Sequence, residues 1–378
     1  MSVGRSTSGP PGAWQTIART PAVYTGGPGF DTRGSAAGAV IVIGRYRRHR
    51  RGHCSAVAEE TLGVSDAVAR RSAAQFRNGA ASGITAESTA VARGEAMGAK
   101  EGANTALMRR WYDEMWAEMN FALIPELAGP IYVRHHSRGA TDPIRAEDYA
   151  RIAAAGAPGT AVTDFAYRLV ADGDHVGSIG RMEFDTGVQW DWVQLFRIED
   201  GRIVETWLPG MGGNSPRVYP NADAAWTGAE VPESTGAATG TKAVLARWYD
   251  EMWAKCAFDL VPAIAGPVYL RHDMSGAANP LTSEQYRDAL TRVGADWEIS
   301  DFRYFLIGQD DLVIATASWT MGKGRQWDWV QAFRIADGRM VETWLPALGG
   351  TDPMIRHSPD TRWPREVIPA PFHAPRPA

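Results

Sequence analysis

The sequence predicts an α+β protein that contains the same domain twice. Residues 110–117 recur unchanged as residues 247–254, a shift of 137 positions. The same shift carries residues 189–209 onto 326–346, with 18 of 21 residues identical. A repeat this long is a whole domain rather than a solenoid unit. In each copy helical spacing comes first and hairpin patterns follow, which is typical of α+β folds with an antiparallel sheet.

The elements of the first copy follow from local spacing. Leu107, Trp111, Met115 and Met119 recur every four residues and predict an opening helix. A short helix over 121–127 ends at a Gly-Pro pair, and a short strand covers 131–135. A third helix is predicted over 145–155. Turns containing Asp-Gly or Thr-Gly separate four further strands, at 162–170, 175–184, 188–198 and 202–208.

The repeat also sets the domain boundaries. Residues 1–104 are rich in Gly, Ala, Ser and Arg, so we expect a low-complexity, disordered region. Copy one spans 105–214, a linker 215–241, copy two 242–351, and a proline-rich tail 352–378 that is expected to be extended and to strap across the surface. The basic segment 45–51 either contacts nucleic acid or acidic lipid or is a solvated tail.

Composition argues against several classes of partner. The chain has 378 residues and a formal net charge of −4, which gives no general support for nucleic-acid binding. Its two cysteines form neither a disulfide framework nor a zinc pattern, so we predict no metal and a cytoplasmic location. The apolar run 36–43 is too short to span a bilayer, so no membrane partner is expected.

Three motifs resemble a known family. These are the opening Arg-Trp-Tyr-Asp-Glu-Met-Trp, the Tyr-x-Arg-His strand, and the ending Phe-Arg-Ile-x-Asp-Gly-Arg-x-Val-Glu-Thr-Trp. Together they resemble the SnoaL-like polyketide cyclases of the nuclear transport factor 2 (NTF2-like) superfamily. The resemblance implies two tandem cones, each a curved sheet wrapped on helices with an apolar pocket. It also implies chemistry without a cofactor and an internal pseudo-dimer, while further homo-oligomerisation stays open.

Strand parity selects the residues that would line the pocket. Trp190, Trp192, Gln194, Phe196 and Ile198 share one face, which we expect to line the cone. Gln194 and its counterpart Gln331 either hold a ligand or bond to neighbouring backbone. The predicted substrate-binding set is Tyr132, Trp190, Trp192, Gln194, Trp111 and Trp207 in copy one and Tyr269, Trp327, Trp329, Gln331, Trp248 and Trp344 in copy two.

A histidine and a glutamate in each copy are candidates for proton transfer. His135 and His272 end the first strand, where the resemblance places the pocket mouth, and an imidazole transfers protons near pH 7. Glu205 lies between Ile203 and Trp207 on one predicted face, and Glu342 is its counterpart. Such a carboxylate would have a raised pKa. Structural roles for the histidines and surface roles for the glutamates remain the alternatives.

The third candidate pair is Asp191 and Asp328. Both share the opposite strand face with an arginine, which predicts an ion pair at the sheet interface. A role as general base requires a bulge that turns the side chain around. In several catalytic relatives an acidic residue closely follows the last-strand tryptophan. Here residues 208–213 of copy one contain no acidic residue, and copy two has none after Trp344 until Asp352.

These observations predict a cofactor-independent enzyme that performs acid–base chemistry in an apolar pocket. The expected substrate is apolar, of polyketide or terpenoid type. The expected reaction is aldol cyclisation, with hydration or isomerisation as close variants. The alternative is a non-catalytic ligand-binding or interaction module with the same fold.

Overall fold

The computed structural model describes residues 98–136, 139–214, 231–234, 237–273, 278–322, 324–350 and 362–375. Residues 1–97 lie outside these ranges, and with them the predicted disorder and the basic segment 45–51. Most of the linker and the start of the tail also lie outside the described ranges. Helix α1 covers residues 98–110. It therefore includes residues 98–104, which the sequence analysis had assigned to the low-complexity region.

The helices have the same order in both copies. In copy one, α1 continues as the π-helical turn Trp111–Trp116, followed by the 3-10 turn Phe121–Leu123, α2 Ile124–Leu127 and α3 Ala146–Gly156. In copy two, α4 Thr241–Arg247 continues as the π-helical turn Trp248–Trp253, followed by Phe258–Leu260, α5 Val261–Ile264 and α6 Ser283–Val293. A capping box between Thr282 and Gln285 begins α6.

Seven strands form the sheet of copy one, in the order β2-β1-β6-β5-β4-β3 with β7 beside β5. They are β1 Ala128–His136, β2 Gly139–Arg145, β3 Val162–Asp172, β4 His175–Phe184, β5 Gln189–Glu199, β6 Arg202–Leu208 and β7 Gly212–Gly213. The hairpins are antiparallel as predicted, but β1 and β6 pair in parallel, so the sheet is mixed.

Copy two repeats this topology in the order β10-β11-β12-β13-β8-β9, with β14 beside β12. Its strands are β8 Ala265–Asp273, β9 Ala278–Thr282, β10 Ile299–Gln309, β11 Leu312–Met321, β12 Arg325–Ala336, β13 Arg339–Leu345 and β14 Gly349–Gly350. The edge strands β2 and β9 were missed in the sequence because each contains a proline, which is confined to edge strands.

The inner face of each sheet packs on its own helices. Trp190, Trp192, Phe196 and Ile198 belong to one apolar cluster with Trp111, as strand parity predicted. In copy two the equivalent cluster contains Trp248, Trp329, Phe333 and Ile335, with Trp327 packed against it. The prediction that this strand face lines the cone interior is therefore confirmed.

The outer faces of the two sheets pack against each other. A third apolar cluster joins Val193 and Leu195 of copy one to Val330 and Ala332 of copy two. The two sheets approach closely at Gly177, where an added Cβ atom would force the terminal methyl of Ile314, the residue at the equivalent position of copy two, to shift. This contact is the internal pairing of copies that the family resemblance implies.

Residues 362–375 of the tail, here called the strap, lie mainly on copy one, and Trp344 of copy two donates to the Val367 carbonyl at 2.8 Å. Trp363 and Ile368 are buried in the cluster between the sheets. Further along, His373 forms a two-bond backbone bridge with Tyr167 at the edge of β3. Within the described ranges, no helix has the length and apolarity needed to cross a membrane.

Candidate functional site

The predicted His–Glu pair forms, but it lies on the outer face of the sheet rather than in the cone. His135 Nε2 is 2.7 Å from Glu205 Oε1, and the His135 ring stacks on Trp207 in the cluster between the sheets. The prediction that Ile203, Glu205 and Trp207 share a face is wrong, since Ile203 packs inside the cone. A register shift between β5 and β6 reverses the alternation at this point.

An arginine completes the pair and changes its chemistry. Arg197 Nε donates to Glu205 Oε2 at 2.7 Å. Burial opposes ionisation of Glu205, but hydrogen bonds from His135 and Arg197 outweigh it and hold the pKa of Glu205 below its usual value. The prediction of a raised pKa is therefore wrong for this carboxyl group, which is a stabilised anion. Such an ion is suited to holding the sheet face together rather than to accepting a proton.

Copy two repeats this arrangement. His272 Nε2 lies 2.7 Å from Glu342 Oε1, and Arg334 contacts the other carboxylate oxygen at 2.8 Å. The His272 ring stacks on Trp344 at a centroid distance of 5.4 Å. Trp207 and Trp344, predicted to bind substrate, are thus corrected to residues of the interface between the two sheets.

Asp191 lies on the outer face, as strand parity predicted, but amide groups hold it. Its carboxylate accepts hydrogen bonds from Gln189 Nε2 at 2.6 Å and from the backbone N–H of Trp363 at 3.0 Å. The side chain is fully buried, and this burial raises its pKa to about 7 although the hydrogen bonds favour the anion. In copy two Asp328 is also fully buried and accepts from Gln326 at 2.8 Å.

Aromatic rings fill the interior of the cones. Trp111, Tyr132 and Trp192 are all at most 3% exposed, and so are Trp248 and Tyr269 of copy two. The predicted apolar wall is present, but the protein's own side chains occupy the space in front of it.

The glutamines on this wall have partners within the sheet. Gln194 donates to Thr206 at 2.7 Å, and Gln331 donates to Thr343 at the same distance. The Nε2 amide of each glutamine therefore has a hydrogen-bond partner without a ligand. That partner is a threonine of the neighbouring strand, whereas the alternative in the sequence analysis was a backbone group.

The structure reveals a polar group that the sequence analysis missed. Asp113 accepts a hydrogen bond from the Tyr167 hydroxyl at 2.7 Å, and its second oxygen lies 2.9 Å from Nε2 of His373. In copy two Asp250 accepts from Tyr304 at 2.8 Å. Both aspartates lie in the segment that is identical between the copies, and both tyrosines are 137 positions apart. The offset alone would have marked the aspartate and the tyrosine as repeated residues, although not as partners.

This group has the arrangement of an oriented base. An ionised carboxylate can only accept hydrogen bonds, so this contact requires a proton on Nε2 of His373, and in the neutral form of the ring Nδ1 then keeps its lone pair. Burial raises the pKa of Tyr167, and its hydrogen bond to Asp113 raises it further, so this phenol stays protonated. The His373 side chain is 41% exposed, which leaves the ring accessible from solvent.

Metal binding has no comparable support in the part of the chain that is described. No three His, Cys, Asp or Glu side chains there are grouped so that they could hold a metal ion.

Comparison with known proteins identifies structural neighbours. No protein-family model and no curated protein matches the sequence. A SnoaL-like polyketide cyclase from Agrobacterium tumefaciens is 16% identical, over 29% of this chain and 92% of that chain, with a TM-score of 0.25. An LEH-like epoxide hydrolase from M. tuberculosis is 13% identical, over 29% of this chain and 81% of that chain, with a TM-score of 0.24. Each of these two structures covers 29% of this chain, which is about the length of one copy.

Proposed function

We propose that this chain is a cofactor-independent enzyme that moves protons on a small organic molecule, as cyclases and isomerases do. The observation that carries the proposal is the group His373–Asp113–Tyr167 in copy one. It joins an accessible imidazole, a carboxylate that orients the imidazole, and a buried phenol in one hydrogen-bonded chain. A base oriented by a third group is the usual arrangement of a proton-transfer site.

The roles follow from the hydrogen bonds. His373 is the base, and its Nδ1 atom removes a proton from a carbon beside a carbonyl or from a hydroxyl group. Asp113 is a positioning residue that fixes the tautomer and stabilises the imidazolium cation when the proton arrives. Tyr167 holds the other oxygen of Asp113, so the carboxylate cannot rotate away from the ring. The proton then returns to the substrate from Nδ1, so no cofactor is consumed.

The two copies differ in this respect. The Asp–Tyr pair is present in both, but the tail supplies its histidine to copy one. We therefore assign the chemistry to copy one and a supporting structural role to copy two. An apolar polyketide- or terpenoid-like substrate remains the proposed class, because eleven of the 26 buried residues in the adjoining core are aromatic and the others are aliphatic or Met.

A second candidate is a non-catalytic interaction module. The observation that favours it is the packing of the cones, whose interior aromatic residues are almost entirely buried. A protein of this kind would use its surface and not an internal pocket.

A turnover screen separates the two candidates. Wild type and His373→Gln would be incubated with 1,3-diketones of polyketide type, steroid enones and terpenoid epoxides, and products measured by mass spectrometry. The proposal expects turnover of one class and a loss of about 100-fold or more in the variant, the usual contribution of a positioned base. Equal turnover by both proteins would show catalysis that does not depend on His373 and would refute the assigned base. No turnover of any class by a folded wild type would leave the interaction module.

A further inference from the structure

The edge strand of copy two is uncovered at the place where the strap covers copy one. In copy one, Phe165 and Tyr167 of the edge strand β3 are at most 1% exposed. Their counterparts on the edge strand β10, Phe302 and Tyr304, are partly exposed, and Arg303 between them is exposed. The repeat therefore contains the same edge twice, and within the described ranges only the edge of copy one forms a backbone bridge to a further segment.

The main chain of β10 has the register needed to accept a further strand. Tyr167 lies opposite Gly180 of β4. Tyr304 lies opposite Ala317 of β11, which is the same register at the offset of 137. The backbone N–H and C=O of Tyr167 point away from β4 and bond to His373. Because a residue of an antiparallel pair directs both groups to the same side, those of Tyr304 point away from β11. An edge of this kind can pair with an extended peptide.

The side-chain site for a histidine is also present in copy two. In copy one, the Asp113 carboxylate accepts from Tyr167 with one oxygen, and its other oxygen lies 2.9 Å from Nε2 of His373. In copy two, Oδ2 of Asp250 accepts from the Tyr304 hydroxyl at 2.8 Å. The hydrogen bonds of the described residues leave Oδ1 of Asp250 without a donor, so it can accept from an incoming imidazole.

The strap defines the chemistry of the group that fits this site. Its segment Ile-Pro-Ala-Pro-Phe-His is extended by its prolines, and the histidine is the residue that bonds to the edge. At the offset of 137 the position of His373 is occupied by Gly236, so the repeat supplies no imidazole to copy two. Arg303 replaces Ala166, which packs with the strap residues Trp363 and Ile368. A partner of copy two is therefore expected to match only the second half of the strap.

We propose that the β10 edge of copy two is a docking site for an extended segment of another protein that carries a histidine. The segment adds to the sheet through two backbone hydrogen bonds at Tyr304, and its imidazole donates to Asp250. Copy one thus holds a strap from its own chain, and copy two holds a similar segment from a partner. Docking of this kind requires no chemistry at His373, so it is independent of the proposed function.

The probe is a synthetic peptide with the sequence of residues 368–375, titrated into the full chain and followed by calorimetry and by exchange of the Tyr304 amide hydrogen. The strap is tethered at copy one and outcompetes a free peptide there, so the peptide binds at copy two. We expect saturable binding of one peptide per chain and slower exchange at Tyr304. Binding should weaken at least 10-fold for a peptide with alanine in place of its histidine and for Asp250→Ala.

Glu251→Ala is the matched control, because it removes the neighbouring carboxylate, which pairs with Arg247 and not with Tyr304. This variant should bind the peptide with the affinity of wild type, and melting temperatures show whether each variant is folded. The histidine-free peptide needs no protein variant, so it tests the site even if Asp250→Ala unfolds.

Three results would overturn the proposal. The first is the absence of saturable peptide binding to folded wild type. The second is equal affinity of wild type for the peptides with and without the histidine. The third is self-association of wild type that Asp250→Ala abolishes, since the edge would then hold the strap of a second copy of this chain and not another protein.

Discussion

Replacement of Trp363 by alanine tests whether the strap is a structural part of copy one. Trp363 is 2% exposed and packs between the two sheets, while its backbone N–H and C=O bond to Asp191 and Gln189. Burial of about 200 Å² of indole surface, at about 25 cal/mol per Å², contributes about 5 kcal/mol. Measured costs of such truncations are about 3–5 kcal/mol.

The assay combines urea unfolding with hydrogen exchange at one amide. The backbone N–H of Tyr167 donates to the carbonyl of His373 at 2.9 Å, so its exchange reports whether the strap is docked. A loss of about 3 kcal/mol corresponds to exchange at least 100-fold faster, at about 1.4 kcal/mol per tenfold. Phe372→Ala is the control because that side chain is 37% exposed, and it should cost less than about 1 kcal/mol.

The reasoning is refuted if Trp363→Ala changes neither the free energy of unfolding by more than about 1 kcal/mol nor the exchange rate of the Tyr167 amide. The strap would then rest on the surface without stabilising it. A smaller global effect with fast exchange at Tyr167 would show instead that the strap detaches on its own.

Three further predictions concern polar side chains of the copy-one sheet. Because burial raises the pKa of Asp191 to about 7, its neutral form is favoured by folding. Its contribution to stability is full below the unfolded pKa of about 3.9 and is lost as pH rises through about 7. The melting temperature of Asp191→Asn should therefore fall less between pH 5 and 8 than that of wild type, and parallel curves would contradict this. Arg197→Met leaves Glu205 without its guanidinium and should cost about 1–3 kcal/mol in urea unfolding. Glu199→Gln, on the exposed side of Arg197, should cost less than about 1 kcal/mol. Ser178→Ala removes the hydroxyl that bonds to both Tyr112 and Trp192. Copy two has Ala315 at this position, and there Trp329 bonds directly to Tyr249. If Trp192 and Tyr112 form the same direct bond in the variant, the free energy of unfolding should fall by less than about 1 kcal/mol. A loss above about 3 kcal/mol would show that this direct bond does not form.

Patterns within one strand or helix predicted the fold well. The alternation in β5 placed Trp192 inside the cone and Asp191 outside, because side chains on a strand alternate with period two. The same argument failed in β6, where the register shift turns Trp207 outward. A bulge depends on how two strands pair, and no local pattern in either strand records it.

The candidate site was missed for a related reason. Asp113 and His373 are separated by 260 positions, so no local spacing connects them. The sequence nevertheless contains a signal, since Trp226 precedes Trp363 by 137 positions and Val231-Pro232 precede Ile368-Pro369 by the same offset. The repeat therefore continues through the segments assigned as linker and tail. Comparison of the copies along their full length would have marked Trp363 as a repeated residue.

The central claim is that copy one carries the chemistry, with Asp113 orienting the base His373, and a matched pair of variants tests it most directly. Asp113→Asn and Asp250→Asn remove the same carboxylate from equivalent positions, each bonded to a tyrosine. The measurement is kcat of both variants, after confirmation of equal melting temperatures, on the substrate found in the screen. The account predicts a kcat lower by about 100-fold or more for Asp113→Asn, partial recovery in Asp113→Glu, and near-normal turnover for Asp250→Asn. Equal loss in both aspartate variants, or no loss in Asp113→Asn, would contradict it.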